Sequence, residues 1–331
     1  MDRKRLQETR EWVRKELASS AEFWLKYGMD KEHGGVYTCI DRTGRLFSTD
    51  KSVWMQGRCG WTYAYLCTVY GTRPEWLEAS KSCLDFMEKH CINREADGRM
   101  YFTVTGDGKP LRQRRYCFSE GFYALANAEY YAVTGDRECL ERARRAYELI
   151  YQLNNGLIKD PAGMGPKTIP ETRSGRALAD PMIYLNITSV MRRCDPELRA
   201  KAMEVFDMAI ERGWDKEYGG LLYFVDCMGF PPEAYEHDMK LWWPHNEILI
   251  ASLMMYRDSG DEKYLDWFYK TVDYCKTYFA DPEYGEWYGY LRRDGKPTEP
   301  ACKGCTFKGP FHVPRSLIMA DQLIGQILEQ N

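Results

Sequence analysis

Apolar residues recur every three to four positions through long stretches of the chain, a spacing that predicts amphipathic helices. Ten segments carry it: 3–26, 53–70, 74–91, 117–134, 138–153, 177–193, 196–212, 242–259, 262–279 and 312–329. Leu253, Tyr256, Tyr264, Trp267, Phe268, Val272 and Cys275 illustrate the period. Most segments fall in pairs joined by brief turns: Tyr70-Gly-Thr-Arg-Pro74, Thr134-Gly-Asp136, Cys194-Asp-Pro196 and Ser259-Gly-Asp261. Such turns stop one helix and supply an Asp or similar cap for the next.

A second pattern repeats between the pairs. Met29-Asp-Lys-Glu-His-Gly-Gly-Val-Tyr37, Glu95-Ala-Asp-Gly-Arg-Met-Tyr101, Trp214-Asp-Lys-Glu-Tyr-Gly-Gly-Leu-Leu-Tyr223 and Asp281-Pro-Glu-Tyr-Gly-Glu-Trp-Tyr288 each run into a few β-prone residues and a turn. These read as short hairpins, not as a central sheet. Helix pairs alternating with hairpins predict an all-α fold of the α/α toroid type, in one domain spanning 1–331. The inner helices are expected to start near 53, 117, 177, 242 and 312, because each follows a long loop. Their first turns would then meet at one end of the ring, with unpaired N–H groups and positive dipole ends facing a shared hollow.

Composition narrows the partners. Apolar residues make up 44% of the chain and charged residues 29%, as in a folded globular protein and not a disordered one. With 46 Lys plus Arg against 49 Asp plus Glu, the net charge of −3 argues against a nucleic-acid partner bound by bulk positive charge. No apolar run approaches the ~18 residues a membrane span needs, and Met1-Asp-Arg-Lys-Arg5 opens no signal-like segment. No membrane association and a cytoplasmic location are therefore expected. Twelve cysteines read as reduced core thiols. Cys302-Lys-Gly-Cys305 is a single CxxC without the second ligand pair a structural zinc needs, so no metal is expected. Ten Trp, 24 Tyr and 13 Phe either pack a large core or line a sugar site.

Reactive residues gather at the inner-helix starts. They are Trp54, Gln56 and Arg58; Arg114, Arg115 and Glu120; Arg176 and Asp180; Lys240, Trp242, Trp243, His245 and Glu247; and Lys308, His312 and Arg315. Histidine exchanges protons near neutral pH. Carboxylates within aromatic segments need a partner, since burying one alone is costly. Tryptophan faces can stack on sugar rings. His33, His90 and His237 lack such surroundings and read as surface or structural. No GxGxxG, P-loop, GxSxG or HExxH pattern occurs. Glu120, Glu247 and Glu286 keep a glycoside-hydrolase acid/base pair open.

Several stretches resemble the N-acylglucosamine 2-epimerase family. They are Lys51-Ser-Val-Trp-Met-Gln-Gly-Arg58, Phe118-Ser-Glu-Gly-Phe122 with Ala128-Glu-Tyr130, Met239-Lys-Leu-Trp-Trp-Pro-His-Asn-Glu247, Asp281-Pro-Glu-Tyr-Gly-Glu-Trp-Tyr-Gly-Tyr-Leu291 and Phe307-Lys-Gly-Pro-Phe-His-Val-Pro-Arg315. The last is closer to the N-acetylglucosamine enzymes than to cellobiose epimerases or sulfosugar isomerases. The resemblance implies an (α/α)6 barrel, usually a homodimer, that interconverts N-acetylglucosamine and N-acetylmannosamine without a cofactor. The implied chemistry is proton removal and return at C2 of the open-chain sugar through an enediolate. Carried over by motif, Arg58 would stabilise the carbonyl oxygen, Glu247 would assist ring opening or polarise the substrate, and His312 would be one of two proton-transfer bases. Trp54, Gln56, Glu120, Trp243, His245, Lys308 and Arg315 are expected to bind substrate.

The family pattern also carries a Pro-Gly-His motif that supplies the second base. Here Val190-Met-Arg-Arg-Cys194 runs directly into Asp195-Pro-Glu-Leu-Arg199. About sixty residues, roughly one repeat unit, are missing against that pattern. The expectation is a ring reduced to about five helix pairs, with weak, altered or no epimerase activity. The alternative is a non-catalytic carbohydrate- or protein-binding toroid derived from the enzyme.

Overall fold

The computed structural model describes residues 1–113, 117–154, 206–207, 210–225 and 236–330. Its helices are α1 (Arg3–Tyr27), α2 (Val53–Tyr70), α3 (Pro74–His90), α4 (Phe118–Thr134), α5 (Arg137–Asn154), α6 (Trp242–Ser259), α7 (Glu262–Tyr274) and α8 (His312–Gln330). Each falls where the apolar period places it. The expected helix at 177–193, most of that at 196–212, and Arg114, Arg115, Arg176 and Asp180 lie outside the described residues. The expected helix 262–279 is α-helical only to Tyr274, and Cys275–Phe279 continues as a π-helical turn. No described helix is long and apolar enough to cross a membrane.

The turns work as their sequences suggest. Asp2 accepts the Arg5 amide at the start of α1, and Asp261 accepts the Lys263 amide at the start of α7. Gly135 and Gly260 close α4 and α6 in the left-handed conformation that costs glycine least.

Helices pack in antiparallel pairs: α2 on α3, α4 on α5 and α6 on α7, while α8 packs on α1 and so joins the two ends of the chain. A second set of contacts runs from α6 to α8, from α8 to α2 and from α2 to α4. These four form the inner wall, with α7, α1, α3 and α5 outside them. Gly57 lets α2 approach α4, since a Cβ there would meet the Phe122 carbonyl group at 2.7 Å. The larger apolar core lies between the inner and outer layers. Leu6, Val13 and Trp24 of α1 and Leu317, Ile318 and Ile324 of α8 contribute to it.

Strands are confined to the loops that lead into the inner helices. β1 (Lys51–Ser52) pairs antiparallel with β2 (Thr103–Val104), and β2 with β3 (Pro110–Arg112). β4 (Lys240–Leu241) pairs with β5 (Tyr290–Leu291). One anchor recurs in three of these loops. Asp30 Oδ1 accepts the amides of Glu32 and His33, and its Oδ2 takes Lys51 Nζ at 2.6 Å. Asp215 accepts the amides of Glu217 and Tyr218 and takes Lys240 Nζ at 2.7 Å. Asp281 accepts those of Glu283 and Tyr284 and takes Lys303 Nζ at 3.0 Å. All three lysines are fully buried. Burial alone would raise the Asp30 pKa, but Lys51, Tyr37 and the two amides outweigh it and hold it at about 2.

Removing one partner of a buried pair strands the other charge, a loss of about 3–5 kcal/mol. Asp30→Ala is therefore expected to destabilise the fold by that amount in urea unfolding. Adding Lys51→Met, which removes the stranded charge, should recover a large part of it.

Candidate active site

Apart from their C-terminal turns, α2, α6 and α8 are buried except for a stripe at helical spacing, and α4 adds two positions near its start. The half-buried positions are Trp54, Arg58, Trp61 and Tyr65 on α2, Phe118 and Phe122 on α4, Trp243, Glu247, Ala251 and Met254 on α6, and His312, Arg315, Met319 and Gln322 on α8. Steps of three and four residues keep a stripe on one face. These stripes lie on helices packed in the order α6, α8, α2 and α4 and face one hollow. Tyr65 Oη meets Gln322 Oε1 at 3.1 Å across it, further along both helices from their N-terminal ends.

The charged residues converge near the helix starts. Glu247 Oε1 accepts from His312 Nδ1 at 3.1 Å and from Arg315 Nη2. The Arg58 guanidinium lies over the Phe122 ring at 4.3 Å and beside Phe311 at 5.1 Å, and interacts electrostatically with Glu247 and Arg315. The Trp242 and Trp243 rings each stand 6.3 Å from the His312 ring. The Glu247 side chain keeps 41% of its accessible surface, yet desolvation is the largest influence on its pKa. A group both reachable and desolvated fits the wall of a hollow.

The electrostatics fix the protonation state of the histidine. Burial would raise Glu247, but the Arg315 charge and the His312 hydrogen bond prevail and hold it at about 2. A carboxylate ionised at neutral pH can only accept, so His312 carries its proton on Nδ1 and keeps the Nε2 lone pair free. Burial lowers His312 to about 4; the Glu247 bond opposes this, and the charges of Arg58 and Arg315 reinforce it. Arg58 is lowered to about 9, first by burial and then by Arg315, and remains a cation at neutral pH. Its Nε, Arg315 Nε and the indole N–H groups of Trp54 and Trp242 are buried without a hydrogen-bond partner. Among the described residues the hollow thus holds one neutral base, two guanidinium ions, one carboxylate and donors without acceptors. No group of His, Cys, Asp and Glu among the described residues could hold a metal ion.

Of the ten residues singled out in the sequence, Trp54, Arg58, Trp243, Glu247, His312 and Arg315 share the hollow, and four do not. Gln56 is buried behind α2 and clamps the Val36 amide and carbonyl, both at 2.8 Å. Glu120 accepts from Arg99 Nε at 2.7 Å and from the Met100 amide at 3.0 Å, fixing the loop before β2. His245 is enclosed, with Nδ1 2.7 Å from the Leu241 carbonyl oxygen and Nε2 accepting the Leu221 amide at 2.9 Å. Lys308 donates to Glu286 Oε1 at 2.8 Å and to the Lys303 carbonyl at 2.7 Å.

The reason is geometric for three of them. Gln56, Glu120 and His245 each stand two residues after a stripe member, about 200° around the helix and so on its outward side. Lys308 sits in the loop before α8, where its ammonium is drawn to the buried Glu286. Glu286 also accepts from Ser20 and from Trp24 Nε1, so neither it nor Glu120 is available as a hydrolase partner for Glu247. The aromatic wall of Trp61, Phe118, Phe122 and Phe311 was absent from the candidates. Its signal was the spacing of Trp54, Arg58 and Trp61 along one helical face.

The family model for N-acylglucosamine 2-epimerase (GlcNAc 2-epimerase) matches residues 35–172 and 182–308. The chain is 33% identical to the N-acylglucosamine 2-epimerase of Rattus norvegicus, over 99% of this chain and 95% of the relative. It is 32% identical to that of Homo sapiens, over 99% and 93%. The rat alignment spans 404 positions against 331 residues here, so at least 73 of them lie opposite no residue of this chain. That difference in length agrees with a shortened segment; the family match breaks between 172 and 182, and not at the Cys194–Asp195 junction. The solved structure of cellobiose 2-epimerase from Spirochaeta thermophila DSM 6192 superposes with a TM-score of 0.72 at 20% identity, covering 98% of both chains, and supports the (α/α)6 barrel class of fold.

His245 makes the packing testable through pH. Its folded pKa is lowered to about 4, chiefly by burial, against about 6.5 in an unfolded chain. Between those values the unfolded state binds more protons, so stability falls as pH drops through this window. The share of His245 is on the order of 3 kcal/mol. Urea unfolding between pH 7 and 4 should show a flatter profile for His245→Gln than for the parent.

Proposed function

The chain belongs to the N-acylglucosamine 2-epimerase family, and from that premise we propose that it removes and returns the proton on C2 of an open-chain sugar. The convergence of His312, Glu247 and Arg58 on one hollow carries this reading. His312 Nε2 is the base. Glu247 holds Nδ1–H and so keeps the lone pair on the nitrogen turned away from itself. As the C2 proton leaves, charge develops on the carbonyl oxygen, and Arg58, whose Nε has no hydrogen-bond partner, meets it. Donors placed in advance for such a charge contribute about 3–4 kcal/mol each. Trp54 and Trp243 form walls against which a sugar can lie. N-acetylmannosamine is the first substrate to test, because the relatives at 32–33% identity are N-acylglucosamine 2-epimerases. A second reading, a toroid that binds sugar without turnover, draws support from there being one histidine at the hollow.

Proton NMR in D2O distinguishes the two. Loss of the C2–H signal of N-acetylmannosamine in the presence of the protein is the expected outcome, and binding without exchange would favour the second reading. His312→Ala should lower exchange by about 10²–10⁴-fold, and Arg58→Met by about 10²–10³-fold. The exchange rate should also follow the His312 titration. A base must be unprotonated, so the acid limb should lie near pH 4, below the usual histidine range, with a plateau through neutrality.

A further inference from the structure

We propose that Cys302 and Cys305 form a modification site: a dithiol that exchanges with a low-molecular-weight disulfide and, once bridged, loosens the loop that positions His312. The chemistry at sulfur stands apart from the reading of the hollow, and only its effect on C2 exchange rests on that reading.

Of the ten described cysteines, eight are buried, and the two that keep partial access to solvent are Cys302 and Cys305. They are also the one pair in the chain spaced as CxxC. A thiol reacts as its thiolate and only where a reagent can reach it. Cys305 is placed for the attacking role. Its Sγ accepts the Phe307 amide at 3.4 Å and stands 3.7 Å from Tyr290 Oη, two groups able to donate to a thiolate. Cys302 Sγ instead donates to the Pro300 carbonyl oxygen at 3.4 Å, which favours the thiol. The pair is therefore asymmetric, with Cys305 attacking and Cys302 resolving.

The exchange balances with one external disulfide as oxidant. The Cys305 thiolate attacks one of its sulfurs, the external S–S bond breaks, and one thiolate leaves with the bonding pair. Cys302 then gives its proton to water and attacks Cys305 Sγ, releasing the second thiolate. The protein loses two electrons and two protons, and the external disulfide becomes two thiols.

The two residues inside the bridge are fixed on both sides. The Lys303 and Gly304 amides donate to the Ile40 carbonyl at 3.1 and 3.2 Å, and a Cβ at Gly304 would meet the Thr38 carbonyl oxygen at 2.1 Å. The Lys303 ammonium is buried, 2.8 Å from the Glu286 carbonyl oxygen and 3.0 Å from Asp281 Oδ2. The Lys303 carbonyl accepts Lys308 Nζ at 2.7 Å, and the Cys305 amide donates to the Lys308 carbonyl at 3.0 Å. In the reduced chain the two sulfurs face different partners, so a bond of about 2.05 Å between them draws this segment away from its contacts. Two routes carry the displacement to the site. Helix α8 begins at His312, shortly after Lys308. Tyr290, which loses Cys305, has its ring 5.4 Å from that of Trp242, and Trp242 stands 6.3 Å from His312.

The full chain is reduced, freed of reductant and exposed to oxidised glutathione. Peptide mapping without reduction should find Cys302 joined to Cys305. Trypsin applied briefly to the folded protein should spare the Lys303–Gly304 bond before oxidation and cut it afterwards. Exchange of the C2–H of N-acetylmannosamine in D2O should fall by about tenfold or more, as for a misplaced catalytic group, and return with dithiothreitol. Cys302→Ser should stop with one glutathione held on Cys305, and Cys305→Ser should leave Cys302 unmodified. The double serine variant should exchange within about twofold of the reduced parent, with or without oxidant, because buried thiols are inert. Both thiols free after oxidation, glutathione retained on Cys305 of the parent, or a bridge from Cys305 to the buried Cys39 would each overturn the dithiol site. A bridge that leaves Lys303 uncut and exchange unchanged would overturn its link to His312. If the reduced parent shows no exchange, the reading of the hollow fails, while the peptide map and the trypsin cut still decide this proposal.

Discussion

Three ammonium groups that never meet water hold the site in place. Each buried lysine faces an aspartate that is already bound by two backbone amides of its own loop. A charge removed from solvent loses several kcal/mol of hydration, which only close and well-satisfied partners offset. The lysine therefore has one stable position, and so has the chain on either side of it. Lys51 sits in the strand before α2 and Lys240 in the strand before α6, so these anchors fix where Trp54, Arg58, Trp243 and Glu247 enter the hollow. Before α8 the anchoring extends further. Lys303 binds Asp281, Lys308 binds Glu286, and Glu286 is held in turn by Ser20 and Trp24 of α1. His312 is thereby tied to the first helix of the chain.

Helix existence and pairing were legible because an apolar period and a capped turn are local signals. The direction of a side chain within a helix was less so. Trp54, Gln56 and Arg58 look equally reactive in the sequence, yet only the first and third share a face. The same step separates Trp243 from His245, and Phe118 from Glu120. The recurrence of Lys51 and Lys240 just before inner helices, and of Asp30, Asp215 and Asp281 in the hairpin loops, was visible. The pairing between them was not, because it joins residues about 20 positions apart through a turn whose geometry only the folded chain supplies.

The histidines show how surroundings separate like residues. His245 and His312 both stand at or near the start of an inner helix, and burial lowers both to about 4. The first spends both nitrogens on backbone groups and is a rivet between α6 and the hairpin carrying Leu221. The second spends one nitrogen on a carboxylate. That difference of a single hydrogen bond leaves a lone pair for chemistry in one case and none in the other.

Charge balance completes the argument. Among the described residues the resting hollow holds Arg58 and Arg315 against Glu247, one positive charge in excess, and Arg58 Nε is buried without a hydrogen-bond partner. A neutral sugar does not relieve that excess, whereas an enediolate does. Binding strength that appears only as the proton leaves C2 lowers the barrier without holding the substrate more tightly. Aromatic walls amplify the effect, since the attraction between guanidinium and oxyanion grows as water is excluded. A buried guanidinium with an unsatisfied N–H lowers the stability of the resting protein, and its position beside a neutral base is where a developing negative oxygen would recover that loss.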